Sequence, residues 1–240
     1  MTTSCKSILI FSAGILLIQL CPGQTGVVSG QVEVRPAVEN AKRSSQLDHS
    51  KVVVWLEPKE VNRQMLPAGR SQWKLVQKNK QFIPSLLVVP VGSSVEFPNQ
   101  DPFFHNVFSL FDGKRFDLAL YQAGTSRGVK FDREGVSYIF CNIHPDMHAV
   151  VIALKTPWYA VSGPSGSFNI ANVPPGDYVL HVWYERAKPD ALQSLNRLVS
   201  IAPPRTSLPT IRIPELEELS ATHKNKFGKD YDRTPPTPLY

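Results

Sequence analysis

The chain has 240 residues, 42% of them hydrophobic, with 26 Lys and Arg against 20 Asp and Glu and a net charge of +6. That length and apolar content suit one or two domains with packed cores and exclude a disordered or low-complexity chain. Proline exceeds glycine, 21 to 14, and Val, Ile, Phe and Tyr recur in short runs. This favours an all-β protein rich in turns over a helical one.

Residues 1–23 read as a secretory signal. Lys6 is a small basic start, Ile8 to Leu20 is an apolar stretch of signal length, and Pro22 and Gly23 break it. Cleavage near Gly23 is expected, with an uncleaved anchor as the alternative. Acylation of Cys21 as a lipoprotein is disfavoured by the large Leu20 before it. No second apolar run is long enough for a membrane helix. The mature chain is therefore expected to be exported, periplasmic or extracellular, with no membrane span. Cys5 and Cys21 fall in the signal, which leaves Cys141 without a disulfide partner in the mature chain. A lone thiol in an oxidising compartment is a liability unless it is buried or ligated.

The basic excess lies in residues 33–80, with ten Lys and Arg against five Asp and Glu. Its only aromatics are Trp55 and Trp73, and no nucleic-acid signature accompanies them. A solvated basic surface is the expectation, and a docking face for an acidic partner the alternative.

Three sections follow along the chain. Residues 27–60 hold "GVVSGQVEV" and "KVVVWLEP", two strand patterns joined by a polar connection. Residues 73–155 carry strand signals every eight to twelve residues: "WKLVQKNKQF", "SLLVVPV", "SVEFPN", "HNVFSL", "GVKFD", "VSYIFC" and "AVVIAL". Turn signals at Val91-Gly92-Ser93, Asn99 to Pro102 and Asp112-Gly113 separate them, which argues for a Greek-key sandwich or barrel. Residues 157–213 give a short strand at Phe168 and Ile170, a turn at Pro174-Pro175-Gly176, and then "DYVLHVWYE". In that last strand Tyr178, Leu180 and Val182 share one face. A final strand is expected in "NRLVSI". Residues 214–240 are expected to hold at most one helical turn, at "PELEELS", and then a mobile charged tail.

The chemistry concentrates in "FCNIHPDMHAVVIAL". Cys141, His144 and Met147 are spaced Cys-x-x-His-x-x-Met between two strands, and a short loop there turns three side chains towards one point. Upstream, "FPNQDPFFHNVFSL" sets His105 at the start of its own strand. Two imidazoles, a thiolate and a thioether form the ligand set of a blue-copper site, with Met as the long axial ligand. Soft sulfur suits Cu(I) and imidazole also accommodates Cu(II), so a mixed set favours one geometry for both states and rapid electron transfer. Zinc is the rival, through His105, Cys141, His144 and His148. Strand alternation opposes it, since His148 should face away from Met147. His49 and His181 are isolated, and His223 lies in the tail.

Residues 73–154 resemble a cupredoxin of the plastocyanin and amicyanin type, on "VPVGSSVEFPN", "HNV" and "CNIHPDM". The resemblance implies one type 1 copper held by His105, Cys141, His144 and Met147. It also implies that the Asn106 side chain braces the cysteine loop. "GSFNIANVPPGDYVLHVWYE", with "VSGQVEV" and "KVVVWLEP", resembles the carboxypeptidase regulatory-like (transthyretin-like) β-sandwich. The resemblances imply a Greek-key cupredoxin inserted in this second small sandwich. One continuous sandwich is the alternative.

Phe103, Phe104, Phe108 and Phe111 flank His105. Most are expected in the core, with Phe104 and Pro145 on an apolar rim beside His144 where a redox partner protein docks. The sequence holds no His-Glu-x-x-His and no phosphate-cradling glycine loop, so no enzyme is expected. The expected function is electron transfer by an exported blue copper protein. The alternative is a copper- or zinc-binding structural or interaction protein.

Overall fold

The structure is a computed structural model describing residues 25–36, 48–60, 72–110, 113–216 and 225–230. The signal and Cys21, Phe111, Asp112 and His223 lie outside the described residues. Among the described residues, no helix is long and apolar enough to cross a membrane.

The chain is all-β. Its strands are β1 (Gly26–Pro36), β2 (Val53–Pro58), β3 (Trp73–Lys74), β4 (Val76–Lys78), β5 (Gln81–Ile83), β6 (Leu86–Pro90), β7 (Ser93–Pro98), β8 (His105–Ser109), β9 (Phe116–Tyr121), β10 (Ser126–Phe131), β11 (Gly135–Phe140), β12 (His148–Leu154), β13 (Tyr159–Val161), β14 (Ser167–Val173) and β15 (Gly176–Trp183). A short helix α1 (Pro189–Ser194) then precedes β16 (Arg197–Ile201), β17 (Arg205–Ser207) and β18 (Ile211–Glu215).

Strand pairing separates the chain into two groups. β1 carries β14, β17 and β18, and β2 lies between β13 and β15, with β16 beyond β15. β3 to β12 pair only with one another, as β10-β7-β3, β6-β12-β11-β8-β9 and the β4-β5 hairpin. The middle strands are thus inserted between two parts of an outer sandwich.

The outer core gathers the inward residues of alternating strands: Val28, Val32 and Val34 of β1, Phe168 and Ile170 of β14, Leu180 and Val182 of β15. Gly30 has a packing reason to be glycine. A Cβ there would stand 2.4 Å from the Phe168 ring. The inner core contains Leu75, Val95, Phe97, Val107, Phe131, Ile139, Cys141 and Met147.

Strand β12 joins the two cores. Ala149, Val151 and Ala153 face the inner core, while Val150, Ile152 and Leu154 face the outer one. A strand buried on both faces reads as an unbroken apolar run, which is what "AVVIAL" is.

Several local expectations change. "WKLVQKNKQF" is three short strands, because Asn79 and Lys80 adopt positive φ (56° and 57°) and turn the chain between β4 and β5. β9, β13 and α1 had no clear sequence pattern. β9 alternates too weakly, with five of its six residues only partly buried or exposed. Pro214 and Glu215 finish β18 rather than start a helical turn. Within the stretch expected as a mobile tail, Asn225–Asp230 lies against the inner strands, with Lys226 N–H donating to Asn142 at 3.0 Å.

Candidate metal centre

The ligand loop is a tight closure of β11 onto β12. Phe140 pairs with His148, so residues 141–147 form the whole connection. Cys141 N–H donates to Met147 O at 3.1 Å, and Met147 N–H donates to His144 O at 3.1 Å. The second bond makes His144 to Met147 a β-turn with Pro145 at its second position, where a fixed φ is an asset.

β8 brings the upstream histidine to this loop. Phe108 pairs antiparallel with Phe140, which runs the start of β8 alongside the ligand loop. His105, Cys141 and His144 then converge, with one ligand atom from each within 4.8 Å of the others. Both histidines present Nδ1 to the Cys141 sulfur, His105 at 3.6 Å and His144 at 3.5 Å. Nitrogen and sulfur about 2.0 and 2.3 Å from one shared ion, at trigonal to tetrahedral angles, sit about 3.5–3.7 Å apart. The donors present therefore fit a first-row metal ion. Met147 is buried in the same core as Cys141, 1% exposed.

His105 is fully buried and its tautomer is imposed. Its Nε2 lies 2.7 Å from the Asp101 carboxylate. An ionised carboxylate only accepts, so Nε2 carries the proton and a neutral ring leaves its Nδ1 lone pair facing Cys141. Asp101 stays ionised to do this. Burial pushes its carboxyl up, but the N–H groups of Lys80 and Asn79 and the His105 ring outweigh that and hold it below the usual range. Sequence reasoning missed Asp101. The available signal was its position four residues before His105, in "DPFFH".

The pocket favours neutral donors. Burial raises the Cys141 thiol, opposed by main-chain N–H groups of Ile143, Asn106 and His144 that favour its thiolate. Burial lowers His144 to about 4, helped by the fields of His105 and Lys80 against that of Asp101. A neutral imidazole and a thiolate braced by N–H donors are the forms that bind metal.

Asn106 acts through its backbone at the sulfur. Its side-chain Nδ2 donates instead to Asp117 Oδ1 at 2.7 Å. His148 is 47% exposed and lies 3.8 Å from Glu185, outside the cluster. His49 Nδ1 accepts from Val34 N–H at 3.0 Å. His181 stacks on Trp55 and pairs with Glu57 at 3.0 Å. Phe108 is buried, whereas Phe103 and Phe104 are 36% and 56% exposed. The Phe103 ring sits 5.8 Å from that of His144. Pro145 is exposed, and so is Ile143, which sequence reasoning had not placed on the surface.

A scan against family models and a search of curated proteins found no match. Among solved structures, the chain is similar to a purple cupredoxin from Nitrosopumilus maritimus, at 26% identity and TM-score 0.31, over 35% of this chain and 99% of that one. It is similar to an amicyanin variant at 18% identity and TM-score 0.33, over 37% of this chain and 87% of that one. A copper-containing nitrite reductase from Thermus scotoductus also matches, at 20% identity and TM-score 0.34, over 51% of this chain and 28% of that one.

Proposed function

We propose that this is an exported electron carrier holding one type 1 copper at His105, Cys141, His144 and Met147. One observation carries the reading: two imidazole Nδ1 atoms meet one buried cysteine sulfur at matched distances of 3.5 and 3.6 Å, on a loop whose last residue is a buried methionine. Copper bound there supplies a one-electron couple. The chain does the rest. Asp101 fixes the His105 ring, the N–H groups of Asn106, Ile143 and His144 stabilise the thiolate, and the two loop hydrogen bonds hold Met147 in place. A donor set held by the fold reorganises little when charge changes, which favours fast exchange. Phe103 packs near the partly buried His144, and Ile143 and Pro145 flank it in the chain; with the exposed Phe104 they would form an apolar rim suited to a redox partner protein. The inserted arrangement fits a cupredoxin within a regulatory-like sandwich, and the apolar stretch Ile8 to Leu20 supports export.

A second reading is a structural zinc site, because the same nitrogen–sulfur spacing suits zinc. The thioether of Met147 favours copper over zinc, and His148, the fourth ligand zinc would recruit, points towards Glu185. The test is a visible spectrum and metal analysis of the oxidised protein. An intense charge-transfer band with one copper per chain is expected. A colourless protein holding zinc would overturn the reading.

A further inference from the structure

We propose that Asn225–Lys229 is a clamp on the ligand loop, with Lys226 as the residue that positions the Cys141 surroundings and raises the electron affinity of the site. The second half of the proposal rests on the copper reading above.

The segment is a preformed turn. Asn225 Oδ1 accepts from Phe227 N–H at 2.9 Å and from Lys229 N–H at 3.1 Å. Asn225 N–H donates to Lys229 O at 2.8 Å, and Gly228 supplies a φ of +74°. This turn presents Lys226 twice. Its main-chain N–H donates to Asn142 Oδ1 at 3.0 Å, and its Nζ reaches Asp117 Oδ2 at 2.8 Å. The other Asp117 oxygen accepts from Asn106 Nδ2 at 2.7 Å and from Ala119 N–H at 2.8 Å.

Both residues flanking the thiol therefore end on one lysine. Asn142 follows Cys141 in the chain, and Asn106 lays its N–H on the sulfur. Two attachments from one turn hold the loop against β8 and β9, and the ammonium offsets the charge of Asp117. Without that cation the carboxylate is uncompensated and favours the more positive, oxidised centre.

The test uses the full chain with Asn142→Ala, Lys226→Pro, the double variant, Lys226→Met and Lys226→Arg. In metal-free protein, Asn142→Ala and Lys226→Pro each speed amide exchange at Cys141 and Met147 about three- to tenfold, the scale of one lost hydrogen bond. The double variant is no faster than Lys226→Pro alone, because Lys226→Pro already removes the Asn142 contact together with the Asp117 ion pair. In copper-loaded protein, Lys226→Met raises the oxidised-to-reduced ratio at fixed applied potential about two- to fivefold, and Lys226→Arg restores it. Unchanged exchange at both amides, or additive effects in the double variant, overturns the clamp. If the protein takes up no copper, the copper reading falls while the exchange rates still decide the clamp.

Discussion

The outer sandwich and the inner strands are built from similar strands yet treat polarity in opposite ways. The outer part buries Thr156 and Ser162, and both are committed to the backbone: Thr156 Oγ1 accepts from Trp158 N–H, and Ser162 links Val52 to His49. The inner part buries Gln77, Asn99, Asp101, His105, Asn106, Ser109 and Ser137. All five buried side-chain atoms lacking a hydrogen-bond partner among the described residues, Asn106 Oδ1 among them, are inner ones. Burying a polar group is costly unless it is satisfied. The inner core that carries this cost also holds the thiol and the two imidazoles, whereas the outer core satisfies both of its buried polar side chains.

Breaking the inner site should leave the outer one standing. Cys141→Ser should abolish the visible band and most copper uptake, while far-ultraviolet circular dichroism stays unchanged. A variant that keeps its colour would show that the sulfur is no ligand. The shared strand is the next point of attack. Ile152 faces the outer core from β12 and is 1% exposed, so Ile152→Ala should cost about 2–5 kcal/mol of stability. Urea unfolding measures that loss, and an unshifted spectrum in the surviving folded protein would show that β12 insulates the site from its neighbour.

Asp101→Ala should weaken copper binding about 10- to 100-fold by releasing the His105 ring. Competition titration against a chelator measures it, and ring-nitrogen chemical shifts in the metal-free protein should show the Nε2–H tautomer lost. An intact tautomer would remove Asp101 from the site.

Acid sharpens the same contrast. His144 takes up its proton near 6.5 when unfolded but only at about 4 when folded. Between those values the unfolded chain binds more protons, so His144 should cost metal-free protein stability as pH falls through that window, and its own contribution is complete below it. His144→Gln should flatten the slope of the urea midpoint against pH. The smallest change is expected at the rim. Pro145→Glu should slow electron exchange with a partner and leave the spectrum alone, and if exchange were unchanged the docking role of this face would fail.

The site was largely legible because its residues are close in sequence or sit at strand ends. Cys141, His144 and Met147 share one loop, and "HNV" opens a strand. Asp117 and Lys226 were illegible, since their meeting joins residues 109 positions apart. The four phenylalanines near His105 illustrate a different limit. Phe108 lies inside β8, where every residue is buried, whereas Phe103 and Phe104 precede the strand and so follow no period.

By itself the sequence determined the all-β class, the loop that carries three of the four proposed ligands, and the orientation of His148 away from them, because period-two patterns and short spacings are local. Only the tertiary structure decided which nitrogen of His105 faces the sulfur and what supports each ligand. Those depend on Asp101 lying against Asn79 and Lys80, on β8 meeting β11, and on the Asn225–Lys229 turn reaching Asn142. Each is a contact between distant segments whose partner is set by packing and not by pattern.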